Sequence, residues 1–80
     1  MLMPTKHIKS ENSIIGVGAE ILDILYRDRT VSSLFTELQC RRRENELTTL
    51  HFDWFLLALD FLFSVGAIQF EAGVMKKLNQ

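Results

Sequence analysis

A mostly helical domain closed by a C-terminal β-hairpin is the fold class this sequence predicts, and three observations predict it. Apolar residues recur at helical spacing in three successive stretches, and a Ser or Thr stands ahead of each stretch where a cap is needed. After Gly66 the period of the pattern drops from that of a helix to that of a strand.

The chain's 80 residues hold a single domain, near the size at which one hydrophobic core is marginally sufficient. Hydrophobic residues at 48% against 24% charged argue for a folded globule rather than a disordered tail, and one Pro with four Gly leaves little for linkers.

Residues 1–12 mix apolar and polar types without a period and contain Pro4, so they read as an extended N-terminal arm ahead of one domain over residues 13–80. Ser13 caps a first helix whose Ile14, Val17, Ile21, Ile24 and Leu25 share a face, with Ile15 and Leu22 at its edge and Glu20 and Asp23 opposite. Gly16 and Gly18 weaken its first turns by up to about 1 kcal/mol each relative to Ala, which a close helix contact or an irregular start explains. Arg27, Asp28 and Arg29 make a polar break. Thr30 then caps a second helix in which Val31, Leu34, Phe35 and Leu38 follow the i, i+3, i+4, i+7 pattern. That helix ends at Arg41, Arg42 and Arg43, whose charges suit the carbonyl end of the helix dipole. A polar loop around Leu47 follows, and Thr48 or Thr49 caps the third helix.

Residues 49–66 form that third helix, and its wheel holds more apolar surface than one face can carry. Asp53, Asp60 and Ser64 fall in one narrow stripe with Leu57 inside it. Trp54 and Phe61 lie on one side of the stripe, Phe52, Leu56 and Phe63 on the other, and Phe55, Leu59 and Leu62 face away. Each aromatic taken singly is more often core than interface, but so small a domain has little with which to cover all three faces. The sum points to a helix partly buried against another protein or a second copy, where one such side chain contributes about 1.5–3 kcal/mol when fully covered.

Gly66 stops the third helix. In the remaining segment Ile68, Phe70, Val74 and Leu78 share a parity if Glu71, Ala72 and Gly73 form a three-residue hairpin loop with Gly73 at positive φ, leaving Gln69, Glu71, Met75 and Lys77 on the other face and Lys76 as a misfit in the inner row. Three helices, a short first connection and a hairpin straight after the third match the winged helix-turn-helix arrangement, with a three-helix bundle and extended tail as the alternative.

Charge and composition exclude several functions. Seven cations against five acids leave +2 over residues 1–43, two against five leave −3 over residues 44–80, and the net is −1, so no general attraction to nucleic acid or an anionic membrane is expected. Asp53 and Asp60 would each cost roughly 2.5–3.5 kcal/mol at a bilayer centre, which argues against spanning. With Cys40 as the sole cysteine and no leader-like segment, a reducing cytoplasm is the simpler setting. One Cys with His7 and His51 cannot supply closely spaced metal ligands, no Gly-rich phosphate loop exists, and nothing orients Cys40 and His51 as nucleophile and base; no enzyme and no cofactor are expected. His51 reads as a partly buried side chain with a hydrogen-bonding partner.

A winged helix that reads DNA needs basic or amide side chains on the outer face of its third helix, where this chain has Asp53, Asp60 and Ser64. Arg41, Arg42 and Arg43 with Lys76 and Lys77 remain as a lateral phosphate patch, the basis of an alternative reading as a small DNA-binding regulator, although a charge run at a helix end is more often a solvated terminus. The leading reading is a protein-binding module that uses Phe52, Trp54, Leu56, Phe61 and Phe63.

The stretches Leu2-Met-Pro-Thr-Lys-His-Ile8, Ser13-Ile-Ile-Gly-Val-Gly18, Thr30-Val-Ser-Ser-Leu34, Phe52-Asp-Trp-Phe-Leu-Leu-Ala-Leu-Asp60 and Val65-Gly-Ala-Ile68, by their order and spacing, resemble the small middle component, type six, of bacterial ABC-three-component systems. None of them is a catalytic signature. The resemblance implies a cytoplasmic winged-helix adaptor encoded beside an ABC-type ATPase of the SMC/Rad50 class and a large effector-bearing component, in systems acting against phages and other invading elements. It also implies that the arm, through Pro4 and His7, contacts a partner, and that nucleic acid is met only weakly or through the assembly.

Overall fold

The computed structural model describes residues 13–78, so the expected arm, with Pro4 and His7, lies outside the described residues. Helices α1 (Ile14–Ile24), α2 (Val31–Glu44) and α3 (Phe52–Ser64) precede an antiparallel hairpin of β1 (Ile68–Glu71) and β2 (Val74–Lys77). This mostly helical order is consistent with a winged-helix-like fold.

Two of the expected caps are in place. Ser13 Oγ accepts from the Gly16 amide at 2.9 Å, and Thr30 Oγ1 accepts from that of Ser33 at 3.1 Å, each satisfying a donor that the first turn leaves free. The third differs from expectation. α3 starts later, with His51 as N-cap and no side-chain bond there, because Gln39 of α2 clamps the preceding backbone. Its side chain donates to Leu50 O at 2.8 Å and accepts from Leu50 N at 2.9 Å, holding the loop extended while Leu50 enters the core. His51 is exposed rather than partly buried.

Both α2 and α3 end in paired bonds of the Schellman type. At α3, Gly66 N reaches Phe63 O and Ala67 N reaches Leu62 O, with Gly66 left-handed at φ +76°. At α2, Glu46 N reaches Arg43 O and Leu47 N reaches Arg42 O, and Glu46 takes the left-handed position at φ +61°.

The hairpin corrects the expected register. Glu71 pairs with Val74, so the loop is two residues, Ala72 and Gly73. Both have positive φ, +55° and +84°, as a type I′ turn requires. One residue fewer in the loop moves the whole of β2 to the opposite face. Met75, paired with Phe70, therefore turns inward and is buried beside Ile68, whereas Val74 and Lys76 join Gln69 and Glu71 on the other row. Lys76 is no misfit there, and its Nζ lies 3.4 Å from Glu71.

The polar break between α1 and α2 is also more than a spacer. Arg29 makes an antiparallel bridge to Met75, with backbone bonds in both directions, so the connection acts as a one-residue third strand beside β2. Its buried side chain donates to Ile24 O at the end of α1 and to the hydroxyl of Tyr26, whose ring lies 5.5 Å from the guanidinium carbon.

The core gathers Val17, Ile21 and Ile24 of α1, Leu34 and Leu38 of α2, Phe55, Ala58, Leu59 and Leu62 of α3, and Ile68 and Met75 of the hairpin. α1 packs most closely on α3, and Gly18 allows it: a Cβ there would stand 3.3 Å from Leu62 Cδ2 and 3.8 Å from Phe61 Cδ2. A branched side chain at this crossing would overpack it, so Gly18→Val is expected to destabilise the domain by about 1–3 kcal/mol. Thermal melts monitored by circular dichroism test this, and an unchanged melting temperature would show that the crossing has room to spare.

The arginine run is not a solvated terminus. Arg42 is fully buried, with its Nη1 2.6 Å from Glu20 Oε2 and its Nε donating to Thr48 O at 2.6 Å. Arg41 lies 3.1 Å from Asp23 and 3.2 Å from Glu37. Together they fasten the end of α2 to the polar side of α1 and to the loop before α3.

Candidate partner-docking surface

Helix α3 divides its apolar residues among three environments. Phe55, Ala58, Leu59 and Leu62 are buried, as the face turned away from the acidic stripe should be. Trp54 and Phe61 are half-buried and pack against the core cluster. Phe52, Leu56 and Phe63 remain exposed, at 46%, 41% and 41% of their surfaces. At about 100° per residue Phe63 stands nearer the middle of the buried face than Phe61 does, yet Phe61 is the better covered. α1 arrives on the Phe61 side through Gly18, whereas on the other side α2 reaches only part of the flank, with Phe35 against Phe52 and Val31 at one end, and leaves Leu56 and Phe63 exposed.

That open flank continues onto the hairpin. Leu56, Leu59, Asp60 and Phe63 form one wall of a groove of about 330 Å³, Phe70 and Met75 form the other, and Val31 from the first turn of α2 closes an end. The wall on α3 has the i, i+3, i+4, i+7 spacing of a helix ridge. Phe70 is 54% exposed because Met75, its cross-strand neighbour, fills the space beneath the sheet first. Phe52 lies beyond the groove, its ring centroid 5.1 Å from that of Phe35 and 5.7 Å from that of Phe55, so it is braced from within.

Sequence reasoning named Phe52, Leu56 and Phe63 and missed Phe70, because it placed that residue in the inner row as core. The residue does share that row with Ile68 and Met75, but Met75 takes the covered position and leaves it exposed. The exposed Leu57 adds a further apolar side chain within the acidic stripe. Trp54 and Phe61 do not share the open surface. They hold α3 against the rest of the domain.

The residues of the alternative phosphate patch are not brought together as free cations. Arg42 is buried, Arg41 is engaged by two carboxylates, Lys76 meets Glu71, and Lys77 donates to Leu22 O at 3.3 Å at the end of α1. Arg43 is exposed. The outer face of α3 keeps Asp53 and Asp60, both exposed, and the Ser64 hydroxyl is turned back on its own helix toward Asp60 O. Such a face repels phosphate.

Cys40 is exposed, and among the described residues no group of three or more His, Cys, Asp or Glu stands close enough to hold a metal ion. No helix among them is long and apolar enough to cross a membrane.

The family model described as ABC-three component (ABC-3C) system Middle Component 6 matches residues 3–79, which is nearly the whole chain. No curated protein and no solved structure matches it.

Proposed function

The chain belongs to the Middle Component 6 family of ABC-three component systems, and from that membership we propose that it is a non-enzymatic adaptor, joining an ABC-type ATPase of the SMC/Rad50 class to an effector-bearing component in a defence complex. The observation that carries the reading is the open flank of α3, where Leu56 and Phe63 continue onto Phe70 across an apolar groove. A domain this small gains by covering those side chains, and a partner surface supplies the cover at about 25 cal/mol for each Å² of apolar surface removed from water. The buried face of the same helix anchors it to the domain, so partner contact needs no unfolding.

Co-expression of the chain with the other two components of its system, followed by capture on a tagged ATPase or effector subunit, tests this. The double variant Leu56→Glu/Phe63→Glu is expected to lose capture by at least about tenfold, since charged groups would be desolvated at the contact. Its circular dichroism spectrum and melt should stay close to those of the native chain, because both positions already face solvent. Undiminished capture of the double variant overturns the adaptor reading.

A further inference from the structure

We propose that the groove between α3 and the hairpin receives an amphipathic helix of the partner that carries basic residues two turns apart; this rests on the adaptor reading and names the chemistry of what the adaptor binds. Asp60 is the charged residue in the groove lining, and Asp53 stands seven residues earlier on the same stripe of α3. Both carboxylates are exposed, and among the described residues neither is ion-paired. α3 carries no basic side chain.

The spacing selects a helix. Two turns of α3 separate the carboxylates by about 10.5 Å along its axis, and a second helix lying alongside repeats its own i and i+7 residues at the same interval. Apolar residues between those two, and one turn beyond the residue opposite Asp60, would seat against Leu56, Phe63 and Phe70, as in helix-in-groove recognition. A second copy of this chain is the poorer occupant. Its equivalent face would bring Asp53 and Asp60 against Asp53 and Asp60, and like charges across an interface oppose association.

The test uses the whole chain and two fluorescein-labelled helical peptides with the same apolar stripe. One carries Lys at two flanking positions seven apart, the other Glu at the same positions. Fluorescence anisotropy at low salt is expected to show the lysine peptide binding at least about tenfold more tightly than the glutamate peptide, with the preference largely abolished by Asp60→Lys and reversed by Asp53→Lys/Asp60→Lys. Equal affinity of the two peptides, binding of neither, or self-association of the chain that displaces the lysine peptide overturns the proposal. The capture assay separates this failure from that of the adaptor reading. Loss of capture in Leu56→Glu/Phe63→Glu but not in Asp60→Lys leaves the adaptor standing and removes the basic helix. Retention in both variants removes both.

Discussion

Phe55→Ala is expected to lower the unfolding free energy by about 3–5 kcal/mol, whereas Phe63→Ala, eight residues on in the same helix, should lower it by less than about 1 kcal/mol. Phe55 is fully buried, in ring contact with Phe35 at 4.9 Å, and sits among side chains of α3 and its neighbours that cannot collapse fully into the space it would vacate. Phe63 keeps 41% of its surface in water at an open groove, so its truncation gives up only part of a full side chain's burial and leaves no closed cavity. A domain of this length has a total stability of roughly 4–12 kcal/mol, and the first change consumes much of it. Urea titrations followed by circular dichroism, with equal m-values for the two variants, measure the difference. Equal losses in the two would mean that the open flank is part of the core, and the docking surface would then have no basis.

Arg42→Ala is expected to cost about 3 kcal/mol, an unusual sum for an arginine. The guanidinium is wholly excluded from solvent, and its removal strands Glu20, which is 27% exposed, and withdraws the donor that Thr48 O accepts. An unpaired, mostly buried carboxylate in that setting costs several times what a surface ion pair contributes. Replacing both partners, as in Glu20→Leu/Arg42→Leu, should recover part of the loss, because no uncompensated charge is left behind. The double-mutant cycle, run by urea unfolding, gives the coupling. Losses that merely add, with no recovery in the double variant, would reduce Arg42 to a packing residue.

Much of the fold was legible. Ser13 and Thr30 announce their helices because a hydroxyl ahead of an apolar period serves the free amides, and the left-handed Gly66 ends α3 as its lack of a Cβ permits. The buried face of α3 followed from the helical period applied to Phe55, Leu59 and Leu62. The hairpin was legible in existence but not in register. Ala72 occupies a left-handed position usually signalled by Asn, Asp or Gly, so its residue type gave no sign that the loop was one residue shorter.

Arg42 escaped for a related reason. Arginine is seldom fully buried unless paired, and its partners, Glu20 and the Thr48 carbonyl, lie 22 and 6 residues away in the chain. Arg29 reads as part of a polar break until its backbone is seen bridging Met75.

Local patterning alone settled the number and order of the elements, the capping of the first two helices, the acidic stripe of α3 and the family to which the chain belongs, since each depends on residue types at short or fixed spacing. Only the tertiary structure decided which flank of α3 stays open. A helical period ranks residues around one axis but says nothing of where neighbouring elements approach, and here the crossing at Gly18 covers Phe61 while Leu56 and Phe63 are left to solvent.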